Sequence, residues 1–132
     1  MNLGLVGSRN FNNYELFERA ILKCLAEWKI EVKDLTIISG GASGADRLAE
    51  IFAEKHSLPI VIYKPDWKLH GKAAGILRNT TIVDNCDLVI AFPSHSGKGT
   101  QDTIEKAKKK RINDLQSSVS KANLKLKVLY VD

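Results

Sequence analysis

The stretch Leu35-Thr36-Ile37-Ile38-Ser39-Gly40-Gly41-Ala42-Ser43-Gly44-Ala45-Asp46-Arg47-Leu48-Ala49-Glu50 decides the fold. It starts as a short apolar run, breaks at two glycines and resumes with helical spacing. Leu35–Ile38 reads as a buried strand, and Ser39-Gly40-Gly41 ends it. Ser43 stands where a helix cap belongs, with Asp46 three residues on. Ala45, Leu48, Ala49, Phe52 and Ala53 then recur at i, i+3, i+4, i+7 and i+8, which makes one apolar face. A buried strand feeding a helix through a glycine turn is the repeating unit of a parallel α/β sheet.

The same alternation extends in both directions. Upstream, Leu3–Val6 is a strand closed by Gly7-Ser8. Asn12 and Glu15 form a capping box for a helix whose inward residues are Tyr14, Phe17, Ile21, Cys24, Leu25 and Trp28. Downstream, Pro59–Tyr63 is a strand rich in β-branched residues. Residues 72–85 follow as a weaker helix with Ala73, Ile76, Leu77 and Ile82 inward. Leu88–Phe92 is a strand stopped by Pro93, Thr100 caps a helix to about Lys110, and Leu124–Val131 is the last strand. The expected architecture is α/β: a Rossmann-like three-layer sandwich around a mainly parallel five-stranded sheet. Residues 1–132 are expected to form a single domain, with 108–123 as a basic helical extension.

Composition agrees with a folded α/β chain and excludes other classes. Of 132 residues, 44% are hydrophobic and 27% charged, ordinary values for a globular protein. Two cysteines, Cys24 and Cys86, cannot make a disulfide scaffold. They sit at apolar helical positions and read as core. No apolar run reaches the length of a membrane span, and the N-terminus has no signal-peptide pattern. The expectation is a cytoplasmic protein without a membrane partner. His56, His70 and His95 share no ligand spacing, so no metal and no cofactor is expected. The net charge of +5 is uneven. Residues 1–97 hold 11 Lys/Arg against 11 Asp/Glu, whereas residues 98–132 hold 9 against 4. That basic segment is either a solvated helix face or a surface for nucleic acid.

In such a sheet the loops after the strands open on one edge, and ligands bind there. Four loops share it: Gly7-Ser8-Arg9-Asn10, then Gly40-Gly41-Ala42-Ser43-Gly44-Ala45-Asp46, then Pro65-Asp66-Trp67, then Ser94-His95-Ser96-Gly97-Lys98-Gly99-Thr100. A glycine turn feeding a helix N-terminus aims free N–H groups and the helix dipole at one spot, which suits an anion. The arrangement occurs at Gly40–Gly44 and again at Gly97–Thr100. Arg9 and Arg78 are suited to bidentate phosphate contact, and Lys98 adds a point charge. Trp67 can stack a base or serve as a core or interface aromatic. Asp46 can cap its helix or bind a ribose hydroxyl. Three charge-assisted hydrogen bonds and one stacked base amount to roughly 6–12 kcal/mol. Micromolar affinity needs about 8 kcal/mol, so a small nucleotide is within reach.

Familiar motifs are absent. Gly97-Lys98-Gly99-Thr100 has the lysine of a P-loop without its spacing. No GxGxxG follows the first strand, and Gly40-Gly41 stands where a dinucleotide fold carries its ribose-binding acid. Gly41-Ala42-Ser43-Gly44-Ala45 approaches a nucleophile elbow, but Ala45 occupies the place of the final glycine.

Taken in order, the loops resemble the SLOG superfamily and, within it, the YspA-type family. The matching pieces are Gly7-Ser8-Arg9 with Phe11, Ser39 through Glu50, Asp66-Trp67, Gly71-Lys72-Ala73-Ala74-Gly75, Arg78-Asn79, Ala91-Phe92-Pro93 and Ser96-Gly97-Lys98-Gly99-Thr100. The resemblance implies a nucleotide or ADP-ribose-like ligand bound as a signal or a sequestered metabolite, and a homo-oligomer. It also carries two alternatives. One is single-stranded DNA or RNA binding, as in DprA-like relatives, which have a similar Arg-Asn pair. The other is N-glycosidic hydrolysis of nucleoside monophosphates, as in LOG-type relatives. In those enzymes a glutamate follows the glycine loop. Thr103 holds that place here and cannot act as a carboxylate, and Asp102 is one residue early. The resemblance therefore favours a binder over an enzyme.

Overall fold

The computed structural model describes residues 1–116 and 124–132. The elements run β1 (Asn2–Gly7), α1 (Tyr14–Trp28), a 3-10 turn (Val32–Asp34), β2 (Thr36–Ser39), α2 (Ala45–Lys55) and β3 (Ile60–Ile62). They continue with α3 (Trp67–His70), a second 3-10 turn (Gly71–Ala73), α4 (Ala74–Asp84), β4 (Leu88–Phe92), α5 (Lys98–Gln116) and β5 (Lys125–Val128). The five strands form one sheet in the order β3-β2-β1-β4-β5. Every neighbouring pair is parallel, so the sheet is wholly rather than mainly parallel. The expected basic extension over 108–123 is α5 as far as Gln116, and its remainder lies outside the described residues.

Alternation along the strands builds the three layers. Leu3 and Leu5 of β1 point to the face covered by α1 and α2, where Phe17, Ile21, Leu25, Leu48 and Phe52 complete one core. Val6 points the other way with Ile38, Val89 and Ala91, against Ile82 and Val83 of α4 and Ile104 and Ala107 of α5. Parallel strands buried on both faces need such continuous apolar runs. β4, Leu-Val-Ile-Ala-Phe, is buried at all five positions. Gly4 fits the second core because a Cβ there would come within 2.7 Å of the Cys86 sulfur. Burial pushes that thiol's pKa up to about 12.

Three helix starts differ from the sequence expectation. Asn13, not Asn12, caps α1, its side chain accepting from the Leu16 N–H at 3.1 Å. Adjacent asparagines satisfy the same pattern, and only the backbone turn selects one. Gly44, at φ +71°, holds the cap position of α2, and Ser43 instead donates its hydroxyl to the Arg9 carbonyl at 3.4 Å. α5 starts at Lys98, so Thr100 lies in its first turn rather than at its cap. In α4 the buried positions are Ala74, Asn79, Ile82 and Val83, while Ile76 and Leu77 are exposed, as is Ala73 in the turn before it. The inward face thus includes the polar Asn79, bonded to Gly99 and Asp102 of α5, so apolar spacing alone selects the wrong face.

Candidate functional site

The strand order reverses at β1, whose neighbours are β2 and β4. β1 leads to α1 on one face of the sheet and β4 to α5 on the other, and a crevice forms at such a switch point. A cleft of about 360 Å³ occupies it, lined by Gly7, Ser8, Arg9, Asn10, Ala42, Asp46, Arg78, Ser94, Ser96, Gly97, Lys98, Gly99, Thr100 and Thr103 among others. A second hollow of about 440 Å³ adjoins it, lined by Arg9, Gly40, Gly41, Ala42, Ser43, Lys64, Pro65, Trp67 and Arg78. Arg9, Ala42 and Arg78 border both, so the glycine turns after β2 and β4 share one edge.

Close packing of loops makes the cleft. A Cβ at Gly7 would lie 2.5 Å from the Phe92 carbonyl oxygen. Gly44 is tighter: a Cβ there would lie 2.2 Å from the Ser8 carbonyl oxygen. That same oxygen accepts from the Ala45 N–H at 3.0 Å and from the Phe11 N–H at 3.3 Å. Gly44 therefore joins two loops and does not line the cleft.

Asp46 is buried at the cleft wall. Its Oδ2 accepts from the Ala42 N–H at 3.0 Å. The Ser39 hydroxyl donates to the Asp46 carbonyl at 3.3 Å and accepts from the Gly41 N–H at 3.4 Å. The N–H groups of Gly41, Ala42 and Ala45 are thus paired within the fold. The turn after β2 offers an anion fewer donors than its glycines suggest. Burial raises the Asp46 pKa, opposed by the Ala42 N–H and by Arg78 and Arg9.

Arg78 is half-buried, and its Nη1 donates to the Gly40 carbonyl at 2.8 Å while its Nε donates to Asn79 Oδ1 at 2.9 Å. Burial lowers its pKa, with Asp46 acting the other way, and a guanidinium stays charged regardless. Asn79 is buried outside the cleft, donating to the Gly99 carbonyl at 3.3 Å and to Asp102 at 3.1 Å. It ties α4 to the start of α5. Asp102 is also paired with Lys106, which holds its carboxylate away from the cleft. Thr103, buried, lines the floor and donates to the Gly99 carbonyl at 3.5 Å. Asp66 lines neither hollow, since its carboxylate caps α3 by accepting from the Leu69 N–H at 3.0 Å. Trp67 borders the second hollow and is 56% exposed.

The turn after β4 is braced from outside. Asp132 accepts from the His95 N–H at 3.0 and 3.1 Å and pairs with His95 Nδ1 at 2.6 Å. The His95 ring stacks on Tyr130 with centroids 4.3 Å apart. This brace was not legible in the sequence, because its partners are far apart in the chain. Behind the turn, α5 presents Lys98, Gly99 and Thr100 in its first turn, where helical N–H groups have no intrahelical acceptor.

The basic segment is partly consumed by the fold. Lys110 donates to the carbonyls of Val83, Asp84 and Cys86, closing the end of α4. Lys106 donates to the Ile76 carbonyl at 3.1 Å and pairs with Asp102. Lys108, Lys109 and Arg111 remain exposed. Among the described residues no group of three or more His, Cys, Asp or Glu is placed to hold a metal, and no helix is long and apolar enough to cross a membrane.

Comparison with known proteins gives two matches. The profile of the YspA, cpYpsA-related SLOG family matches residues 5–70, from β1 to the end of α3. The Gene 61 protein of Mycobacterium phage D29 is 36% identical over 81 residues, covering 57% of this chain and 65% of that protein. The chain therefore spans just under two thirds of that relative's length. No solved structure matches.

Proposed function

The chain belongs to the YspA, cpYpsA-related SLOG family, and from that premise we propose that it binds a phosphate-bearing, nucleotide-derived ligand of the ADP-ribose type at the β1–β4 switch point. One observation carries this reading: Arg9, Arg78 and Lys98 border the same 360 Å³ cleft as the open first turn of α5. The positive end of a 19-residue helix and three side-chain cations favour one or two phosphate groups there. The second hollow, with Trp67 beside Gly40 and Gly41, has the aromatic surface for a base. Phosphate then sits nearer Gly97–Thr100 than Gly40–Gly44, where the Gly41 and Ala42 N–H groups are already paired.

Calorimetry with AMP, ADP-ribose and cyclic ADP-ribose tests the proposal. Saturable heat is expected with at least one of them. Silence from all three removes it. A gel shift on single-stranded DNA across a salt series addresses nucleic-acid binding, which weakens steeply with salt.

N-glycosidic hydrolysis is a second reading, favoured by the buried carboxyl of Asp46 at the cleft wall, whose pKa is raised by burial. A carboxyl set in a cleft wall, with its pKa raised by burial, is a candidate acid–base group. Release of free base from nucleoside monophosphates, abolished in Asp46→Asn, is its test. No release by the parent protein leaves Asp46 a structural acceptor.

A further inference from the structure

One face of β5 differs from the rest of the sheet. All-parallel sheets are ordinarily covered by helices on both faces. Leu126 and Val128 pack beneath α5 on one side. On the other, Lys125 and Lys127 are exposed, and Leu129 and Val131 are only partly covered. α1 flanks them, and a groove of about 330 Å³ opens between it and this edge. Cys24, Phe92, Leu129 and Val131 give it an apolar lining, and Leu16, 44% exposed, and Tyr130 extend that surface outward. None of the residues that line the ligand cleft lines this groove.

Charge decides what fits. Arg19, Lys23 and Lys127 line the groove against a single acid, Glu27. None of the three cations forms an ion pair among the described residues. A neutral apolar partner would bury them without counter-charges, which is unfavourable. A second copy of the same face would set these cations against each other across a two-fold axis. An amphipathic helix with carboxylates flanking its apolar stripe satisfies both the lining and the rim. α1 is 15 residues long, so a helix laid beside it has about four turns of contact.

We propose that the α1–β5 groove docks an acidic amphipathic helix of a partner protein, its apolar face on Leu16, Leu129 and Val131 and its carboxylates on Arg19, Lys23 and Lys127. The occupant covers the parts of Leu129 and Val131 that α1 leaves exposed. The proposal does not depend on the ligand reading.

The probe is a fluorescein-labelled synthetic helix of ~14 residues with a leucine stripe flanked by glutamates. Its counterpart carries lysine at each glutamate. Anisotropy titration and amide chemical-shift mapping are made on the full chain. The acidic peptide should bind saturably, with shifts confined to α1 and residues 125–131, and should weaken with salt. The lysine peptide and the Lys23→Glu/Lys127→Glu variant should each lose about ten-fold or more in affinity. Arg19→Glu is the second variant should the double one fold poorly by circular dichroism. Equal binding of both peptides, unchanged affinity in a folded variant, or shifts elsewhere would overturn the assignment. So would sedimentation as a dimer that Leu16→Glu dissociates, which places a second copy on this face.

Discussion

Arg78 Nη1 donates to the carbonyl oxygen of Gly40 at 2.8 Å, joining residues 38 positions apart. A Cβ at Gly40 would lie 2.6 Å from that same nitrogen. The glycine and the arginine are therefore one unit: the first leaves space that the second fills. The guanidinium is held at the boundary of both hollows, with its position set before any ligand arrives.

Arg78→Ala should weaken nucleotide binding by about 10- to 150-fold, the equivalent of one charge-assisted hydrogen bond of 1.5–3 kcal/mol. Gly40→Ala should weaken it as well while leaving the charge present, because the methyl displaces the guanidinium. Calorimetry on both variants checks this. Full affinity in Gly40→Ala would show that the position of Arg78 is immaterial.

Gly44 and Gly99 should separate folding from binding. Gly44→Ala combines a φ of +71° with overlap on the Ser8 carbonyl, and should cost roughly 3 kcal/mol or more of stability. Gly99 meets nothing within 4 Å. Gly99→Ala should change stability by less than about 1 kcal/mol yet reduce affinity if phosphate approaches the first turn of α5. Thermal melts paired with calorimetry read both quantities.

Acid should release a clamp between α1 and α2. Glu18 accepts from the Tyr14 hydroxyl at 2.7 Å and pairs with Lys55 and His56, each at 3.1 Å. The Tyr14 hydrogen bond, then those of Lys55 and His56, lower the Glu18 pKa from 4.5 to about 2 against the effect of burial. A depressed folded-state pKa favours the ionised form on folding. Its stabilisation is complete above the ordinary carboxylate range and disappears as pH falls from about 4.5 toward 2. Glu18→Gln should lower the melting temperature at pH 7, and the gap to the parent protein should close near pH 2. A gap independent of pH would assign the effect to packing.

Removing the outer brace should loosen the turn after β4. Hydrogen bonds from His95 lower the Asp132 pKa, so the carboxylate is an ionised acceptor at neutral pH. Asp132→Ala should speed amide exchange at residues 94–97 and leave the core strands unchanged. Exchange that stays slow at Ser94 and Ser96 would show that the turn holds itself.

The lysines of α5 should divide by partner. Lys110→Met strips three carbonyls of a charged donor and should cost about 1–3 kcal/mol. Lys109→Met, at an exposed position, should stay within about 0.5 kcal/mol. Equal melting temperatures for the two variants would mean that the α4 carbonyls are satisfied by water.

Strands and layers were legible because burial on both faces leaves no polar position to obscure the run, as Leu88–Phe92 illustrates. Glycine turns were legible for a related reason: Gly7 and Gly44 stand where backbone meets backbone. What a turn does with its N–H groups was not. Gly41 and Ala42 look like free donors in the sequence, and only the fold brings Ser39 and Asp46 back to occupy them. Ile76 and Leu77 follow apolar spacing from Ala73, but the buried face of α4 carries the polar Asn79, which apolar periodicity does not count as inward. Asn79 and Asp66 have the right chemistry for ligand contact, but local acceptors and donors hold them at structural tasks.

Gly4 and Cys86 bear on experiments that use neither ligand nor partner. The thiol lies in the second core, against the space a methyl would need, with its pKa pushed up to about 12. Alkylating reagents act on thiolates in contact with water, so Cys86 reacts only when α4 and α5 lift from the sheet. The rate of its capture by iodoacetamide is a stopwatch on that opening, readable by mass spectrometry on the unlabelled wild-type chain.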